Sequence, residues 1–109
     1  MSKYHSRKTT IDGMTFDSIK EAKRYRDLSL LQRAGEISDL RTQVKYTLVP
    51  SQKKPSGGTE RPVTYTADFV YKDKGGKEVV EDVKGVRTQQ YTIRRKLMLE
   101  RHRIEVKEV

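Results

Sequence analysis

Apolar residues recur at helical spacing in two segments of the chain, which predicts two helices. The first covers residues 18–34, with Ser18 as its N-cap and Gly35 after its last turn as a C-terminal stop. Its apolar stripe consists of Ile19, Ala22, Tyr25 or Arg26, Leu28, Leu31 and Ala34. The second helix covers residues 88–102, begins at the capping residue Thr88 and is unusually rich in Arg and Lys.

Alternation of apolar and polar residues predicts strands before and after these helices. A short hairpin is expected over residues 9–16, because an Asp-Gly pair at its centre is a strong two-residue turn signal. Residues 36–49 alternate as a strand with one buried face, and residues 103–109 alternate as an edge strand. Residues 50–62 are polar and rich in Pro and Gly, which predicts a loop.

A longer hairpin occupies the middle of the chain. Strand-like runs at residues 65–71 and 78–84 flank the turn-forming residues 73–76. Alternation places Thr66, Asp68 and Val70 on one face of the first strand, and Val80, Asp82 and Lys84 on one face of the second. Because directly opposed residues share a face, Asp68 lies beside Asp82 if the connection has an odd number of residues. Glu81 then falls on the opposite face, away from any site that Asp68 and Asp82 form.

The predicted elements follow one another as small hairpin, helix, three strands, helix and strand. This order predicts an α/β fold with a mixed sheet flanked by helices. With 109 residues, the chain is long enough to bury one modest core. We expect a single domain over residues 9–109. Residues 1–8 read as a flexible basic arm, which is either a solvated tail or a DNA contact.

The composition is strongly basic, with 24 Lys and Arg against 15 Asp and Glu and a net charge of +9. A small basic protein is expected near polyanions, nucleic acid first and acidic membrane surfaces second. The absence of cysteine excludes disulfides, thiol nucleophiles and Cys-based zinc sites. No apolar run approaches the ~20 residues that span a bilayer, and the N-terminus lacks the apolar core of a signal peptide. We therefore expect a soluble, cytoplasmic protein that has no membrane partner.

Asp68 and Asp82 predict a cation site. Two carboxylates on one sheet face repel each other unless a cation lies between them. Mg²⁺ suits such a pair, because it keeps several waters and takes one or two carboxylates and substrate phosphate oxygens as further ligands; Mn²⁺ is a candidate substitute. Lys84 can then hold a water or the charge that develops on a phosphate. The alternative is a solvated strand face with cross-strand pairs of Asp and Lys.

Glu21 has two interpretations. It sits three residues after Ser18, as in a capping box, where its carboxylate would accept from the Ser18 backbone amide. A capping arrangement of this kind is worth about 1 kcal/mol. Alternatively, Glu21 is a third carboxylate that reaches the metal site from the first helical turn. The two roles compete for the same side chain.

Several basic residues are candidates for contacts with a DNA backbone. In and around the loop and the second helix, these are Lys53, Lys54, Arg61, Arg87, Arg94, Arg95 and Lys96. Each also has a plainer interpretation, since mobile polar loops and solvated surface cations are common.

Glu21 lies in the first predicted helix, Asp68 in the second core strand and Asp82-x-Lys84 in the third. With these residues, the element order resembles the PD-(D/E)XK nuclease superfamily, which has the restriction-endonuclease-like fold. More narrowly, the chain is similar to a group of short phage-encoded proteins described as uncharacterised or as endonucleases. The residues that carry this similarity are Asp12-Gly13, Phe16, Ser18-x-x-Glu21, Gly35-x-Ile37, Gln43, Tyr65-x-Ala67-Asp68 and Glu81-Asp82-Val83-Lys84-Gly85.

The resemblance implies a role for each matching residue. Asp68 and Asp82 would be metal ligands, with the Val83 backbone carbonyl as a further ligand. Lys84 would orient or activate the attacking water, and Glu21 would complete the acidic cluster from the helix. The implied cofactor is Mg²⁺ and the implied partner is DNA.

The implied activity is metal-dependent hydrolysis of DNA phosphodiester bonds by an endonuclease. A narrower hypothesis follows from the small size, the positive charge and the phage association of the similar proteins. The enzyme would be selective for branched DNA, as a Holliday junction resolvase is, and would act in phage recombination inside the bacterial host cell. A homodimer is an open option. Two alternatives are an inactive nucleic-acid-binding protein on the same fold and an adaptor that binds RNA or another protein through its basic surface.

Overall fold

The computed structural model describes residues 8–83 and 87–109. Its two helices are α1 (Ile19–Arg33) and α2 (Gln89–His102). Its strands are β1 (Thr9–Ile11), β2 (Met14–Phe16), β3 (Ser38–Val49), β4 (Gln52–Lys53), β5 (Thr59–Glu60), β6 (Val63–Lys72), β7 (Glu78–Asp82) and β8 (Lys107–Glu108). The predicted basic arm, apart from Lys8, and the predicted site residue Lys84 lie outside the described residues.

The central sheet has four strands in the order β3-β6-β7-β8. β3 pairs antiparallel with β6, β6 pairs antiparallel with β7, and β7 pairs parallel with β8. The prediction of a mixed α/β fold with a mixed sheet is therefore confirmed, and so is the edge position of the last strand. Neither helix in the described ranges is long and apolar enough to cross a membrane.

Two apolar clusters form the core. The first, which includes residues of α2, contains Leu48, Tyr65, Ala67, Val70, Val80, Tyr91, Met98 and Val106. The second, which includes residues of α1, contains Phe16, Ala22, Tyr25, Leu28, Ile37, Phe69 and Tyr71. Because β6 contributes to both clusters, the sheet lies between the two helices, and each helix covers one of its faces.

Both helices begin at the predicted caps. The Ser18 hydroxyl accepts from the Glu21 backbone N–H at 3.0 Å, and the Thr88 hydroxyl accepts from the Tyr91 backbone N–H at 3.0 Å.

The predicted apolar stripe of α1 is partly wrong, because Ile19 is 56% exposed and Leu31 39% exposed. α1 meets the sheet along one narrow line, which buries Ala22, Tyr25 and Leu28 at three-residue spacing and leaves the flanking apolar positions in solvent.

Regular alternation fails in the middle of β6. Ala67 and Val70 both belong to the first cluster, whereas Phe69 belongs to the second, so the strand exchanges faces around Asp68. The partner strand is irregular at the same level, where Gln43 has a φ of 54°. The prediction that Thr66 and Val70 share a face is therefore wrong, since Thr66 is exposed between residues of the first cluster.

The polar segment of residues 50–62, predicted as a loop, contains a small ribbon. β4 and β5 pair antiparallel, with Gln52 opposite Glu60. Gly57 and Gly58 have φ angles of 99° and 84°, which let the chain turn back tightly enough for these two strands to pair. The exposed Lys53 therefore belongs to a separate two-stranded sheet and not to the central sheet.

Candidate active site

The hairpin of β6 and β7 brings Asp68 and Asp82 to neighbouring strands. Phe69 pairs with Glu81, so Asp68 and Asp82 are the next residues outward on their two strands. A five-residue connection, residues 73–77, separates the strands, which is the odd length that this register requires. The Val83 backbone N–H donates to Asp68 Oδ2 at 2.7 Å and ties the end of β7 to this aspartate.

Glu21, on α1, is close enough to both aspartates for their negative charges to act on its carboxylate. Its carboxylate is buried and accepts from Gln43 Nε2 at 3.1 Å. Burial, followed by the negative charges of Asp68, Asp17 and Asp82, raises the pKa of Glu21 to about 7. Ser18 caps the helix through its own hydroxyl, and the hydrogen-bond partner of the Glu21 carboxylate is Gln43 and not the Ser18 backbone amide. The role of Glu21 as a metal ligand stays a prediction.

Asp82 is almost fully buried and has a specific donor. The Tyr65 hydroxyl, from the first core cluster, donates to Asp82 Oδ2. Burial and this hydrogen bond raise the pKa of Tyr65 well above its ordinary value, so the phenol remains a donor. β8 supports the same residue, because the Val109 backbone N–H donates to the Asp82 carbonyl at 3.0 Å. Asp82 is thus held in one orientation.

Glu81 points the other way, as alternation predicts. It is fully buried, and its carboxylate accepts from the Tyr71 hydroxyl and from both Arg24 Nε and Arg24 Nη2, at 2.8 and 2.7 Å for the two arginine bonds. Sequence reasoning placed Glu81 correctly but missed its arginine partner on α1. A glutamate that alternation places on the face of β7 opposite Asp82, between strands that are largely buried, was the signal that a cation should face it.

The acidic cluster fits a hard cation by its chemistry. Glu21, Asp68 and Asp82 offer only oxygen ligands, and the raised pKa of Glu21 reflects its burial first and the negative charges of its acidic neighbours second. Within residues 8–83 and 87–109, however, no three carboxylate or imidazole side chains converge as a ready-made ligand group. Mg²⁺ needs only one or two protein carboxylates, because waters and phosphate oxygens supply the remaining ligands.

The predicted DNA-binding residues are divided among three places. Lys53, Lys54 and Arg61 are exposed on or beside the small ribbon. On α2, Lys96 is exposed, whereas Arg94 Nε donates to the Thr64 carbonyl at 2.8 Å. Arg87 and Arg95 both pair with Glu108 of β8, a residue that sequence reasoning did not single out. Glu108 could not be found from sequence, because its position follows from the parallel pairing that sets it opposite Asp82.

The DUF1064 family model, described as a protein of unknown function, matches residues 1–108. This chain belongs to the DUF1064 family. No curated protein and no solved structure shows significant similarity to it. What this DUF1064 protein does must therefore be argued from its own site.

A cleft of about 220 Å³ opens beside the acidic cluster of this DUF1064 protein. It lies between β2, the start of α1 and β3, and its wall includes Asp17, Glu21, Thr42 and Gln43. The unusual backbone of Gln43 places this residue in the wall next to Glu21. Of the three carboxylates Glu21, Asp68 and Asp82, Glu21 lies in the wall of this cleft.

Proposed function

We propose that the protein is a metal-dependent endonuclease that hydrolyses phosphodiester bonds in DNA. The observation that carries this proposal is the pairing of Asp68 with Asp82 on neighbouring strands, close enough to Glu21 for their charges to help raise its pKa, in a chain with a net charge of +9. A protein that binds polyanions gains nothing from clustered carboxylates unless a cation joins them there. The resemblance to PD-(D/E)XK nucleases supports the same assignment.

Asp68 and Asp82 would hold the ion, with the Val83 carbonyl as a further ligand and Glu21 as a third carboxylate. A bound divalent cation supplies Lewis-acid polarisation of a phosphate and lowers the pKa of a water molecule. Mg²⁺ is the proposed cofactor and Mn²⁺ its substitute, since both accept oxygen ligands.

The protein's own groups orient this site. The Tyr65 hydroxyl fixes one Asp82 oxygen, and the Val83 N–H fixes one Asp68 oxygen, so both aspartates are oriented by the protein. Lys84 follows Val83 directly in the sequence. Its ammonium would hold the attacking water in line with the scissile phosphate and balance the charge that develops there. Glu21, whose pKa is about 7, can accept or release a proton near neutral pH.

Branched DNA is the proposed substrate class. A chain of this size has little surface with which to read bases, whereas exposed cations such as Lys53, Lys54 and Arg61 suit backbone contacts. Such contacts respond to the course of the backbone and not to sequence, so they favour an enzyme that recognises a junction. Recombination or processing of phage DNA in a bacterial cell is the setting that the resemblance suggests, and a homodimer would match a two-fold junction.

A nucleic-acid-binding protein without catalysis is the second candidate. One observation favours it: both aspartates already accept hydrogen bonds within the protein, Asp82 from Tyr65 and Asp68 from Val83. If the cluster were vestigial, DNA binding would be salt-sensitive and would persist without any cut strand.

The two candidates are separated by a cleavage assay on labelled linear duplex, single strand, fork and four-way junction with Mg²⁺, Mn²⁺ or chelator. The variants are Asp82→Asn and Lys84→Ala, and the matched control is Asp39→Asn, an exposed aspartate of β3. The nuclease assignment predicts cuts by wild type and the control that both site variants lose. Binding of every substrate without a cut, in either metal, would leave the binding protein as the function.

A further inference from the structure

Glu108 is the centre of a second polar cluster, on the edge strand beside Asp82. Its carboxylate accepts from the Tyr91 hydroxyl at 2.7 Å, from Arg95 Nη1 at 3.4 Å and from Arg87 Nη2. The Tyr91 bond is the main cause that keeps the pKa of Glu108 below its ordinary value, so the carboxylate is an anion. One anion thus occupies the meeting point of three donors.

The donors around Glu108 are those that recognise phosphate. Guanidinium groups match the oxygens of a phosphate as well as those of a carboxylate, and a phenol hydroxyl adds a third donor. Arg87 is 63% exposed and Arg95 34% exposed, so a ligand from solvent can reach both. The exposed arginine side of these pairs is screened by solvent, which weakens them, although the Glu108 side chain itself is only 18% exposed.

There is room for such a ligand next to the cluster. A cleft of about 570 Å³ lies between α2 and β8, and Arg95, Lys96, Lys107 and Glu108 are in its wall. Lys96 and Lys107 extend the positive charge beyond the two arginines. A strand of sugar and phosphate fits this wall better than a neutral ligand does.

We propose that Arg87, Arg95 and Tyr91 form a binding site for a backbone phosphate of DNA, and that the Glu108 carboxylate occupies this site until DNA displaces it. The proposal rests on the proposed function only in taking DNA as the ligand. Because Glu108 is paired with Asp82 across β7 and β8, the phosphate would belong to the DNA segment next to the acidic cluster. Glu108 would then weaken DNA binding, although it lies within the binding surface.

The test is DNA affinity in chelator, measured by fluorescence anisotropy with a labelled four-way junction and a labelled duplex. Glu108→Gln keeps the shape and removes the competing charge, so we expect it to bind DNA about three- to tenfold more tightly than wild type. Glu105→Gln is the matched control, because it makes the same charge change in the wall of the same cleft. Equal effects of the two variants, or weaker binding by Glu108→Gln, would overturn the proposal.

A second pair of variants keeps the test decisive if Glu108→Gln folds poorly. Arg87→Ala and Arg95→Ala should each weaken binding and reduce the slope of log affinity against log salt concentration by about one. Lys72→Ala, at the far end of β6, is the control for a general loss of charge. Losses no larger than that of the control would overturn the proposal. The phosphate-site proposal does not depend on cleavage, because DNA affinity is measured in chelator without a metal. A wild-type protein that does not bind DNA would overturn the proposal.

Discussion

Arg24 and Glu81 form a bidentate ion pair between α1 and the last residues of β7. Glu81 is fully buried, while Arg24 keeps 25% of its side chain exposed. Burial alone would raise the pKa of Glu81, but hydrogen bonds from Arg24 and Tyr71 outweigh it, and the pKa lies below its ordinary value. Glu21 is one helical turn before Arg24, and Asp82 follows Glu81, so this pair fixes how the helix carboxylate meets the strand carboxylate.

Removing either partner of this pair should therefore destabilise the protein, but unequally. Arg24→Ala leaves a carboxylate with no exposure and only Lys107 Nζ, 4.0 Å away, as a cation, which costs about 3 kcal/mol in the free energy of unfolding. Glu81→Gln leaves Arg24 able to turn towards solvent, so we expect a smaller loss of about 1–2 kcal/mol. Urea unfolding of the purified variants measures both values.

Arg41→Ala serves as the control, because its pair with Asp39 is exposed and should be worth less than about 0.5 kcal/mol. Equal losses for Arg24→Ala and Arg41→Ala would show that the buried pair does not hold α1 on the sheet.

Glu21 makes the free energy of unfolding depend on pH. Its pKa is raised from 4.5 to about 7, so the protonated form is favoured in the folded protein. The stabilisation from this proton is complete below about pH 4.5 and is lost as the pH rises through about 7. Glu21→Gln, which mimics the neutral form, should then stabilise the protein at about pH 8 by at most about 3 kcal/mol, with a vanishing effect near pH 4.

Urea unfolding of wild type and Glu21→Gln across this range measures the difference. A constant difference, or one that shrinks as the pH rises, would mean that burial and the neighbouring carboxylates do not raise the pKa of Glu21.

Tyr65 should control how well Asp82 serves as a ligand. Tyr65→Phe removes one hydroxyl and leaves a buried carboxylate without that donor, at a cost of about 1–2 kcal/mol in the free energy of unfolding. Because the Tyr65 hydroxyl no longer orients Asp82, we also expect affinity for Mn²⁺ to fall by about tenfold, as supporting residues around metal ligands typically show. Isothermal titration calorimetry measures that affinity.

The control for this variant is Tyr46→Phe, which removes a hydroxyl that donates to Glu78 at 2.9 Å, outside the acidic cluster. If both variants bind Mn²⁺ as wild type does, Tyr65 has only a structural role.

A cation bound to the acidic cluster should also stabilise the fold. At a concentration 100 times its dissociation constant, the ion would add about 2.7 kcal/mol to the free energy of unfolding. Wild type should therefore show a higher melting temperature with Mn²⁺ than with chelator, and Asp68→Asn should show a much smaller increase. A melting temperature that does not respond to Mn²⁺ would count against a metal site.

Local sequence signals predicted much of this fold. Ser18 and Thr88 cap their helices as expected, because capping depends on a few neighbouring residues. The register of the central hairpin, which brings Asp68 to Asp82, followed from strand alternation and an odd connection. These features are decided within a short stretch of chain, where the sequence carries the information.

Features decided by distant contacts could not be predicted in the same way. The side chains of β6 exchange faces around Asp68, beside Gln43 of β3. Neither residue is a glycine or proline, the residue types from which an irregular backbone can be predicted. Glu108 reaches Asp82 through a parallel pairing of two-residue strands, which leaves almost no pattern in the sequence. Both features shape the proposed site, so the site was predicted less completely than the elements that carry it.

The proposal of a metal-dependent nuclease is tested by cleavage of a labelled four-way junction with Mg²⁺, by wild type and by Asp82→Asn. Asparagine can still accept from Tyr65, so the variant should fold and bind DNA. We predict that wild type cuts the junction with Mg²⁺ and not with chelator, and that Asp82→Asn binds it without cutting. Wild type that binds the junction and leaves it intact with both Mg²⁺ and Mn²⁺, or a variant that cuts as fast as wild type, would contradict the assignment.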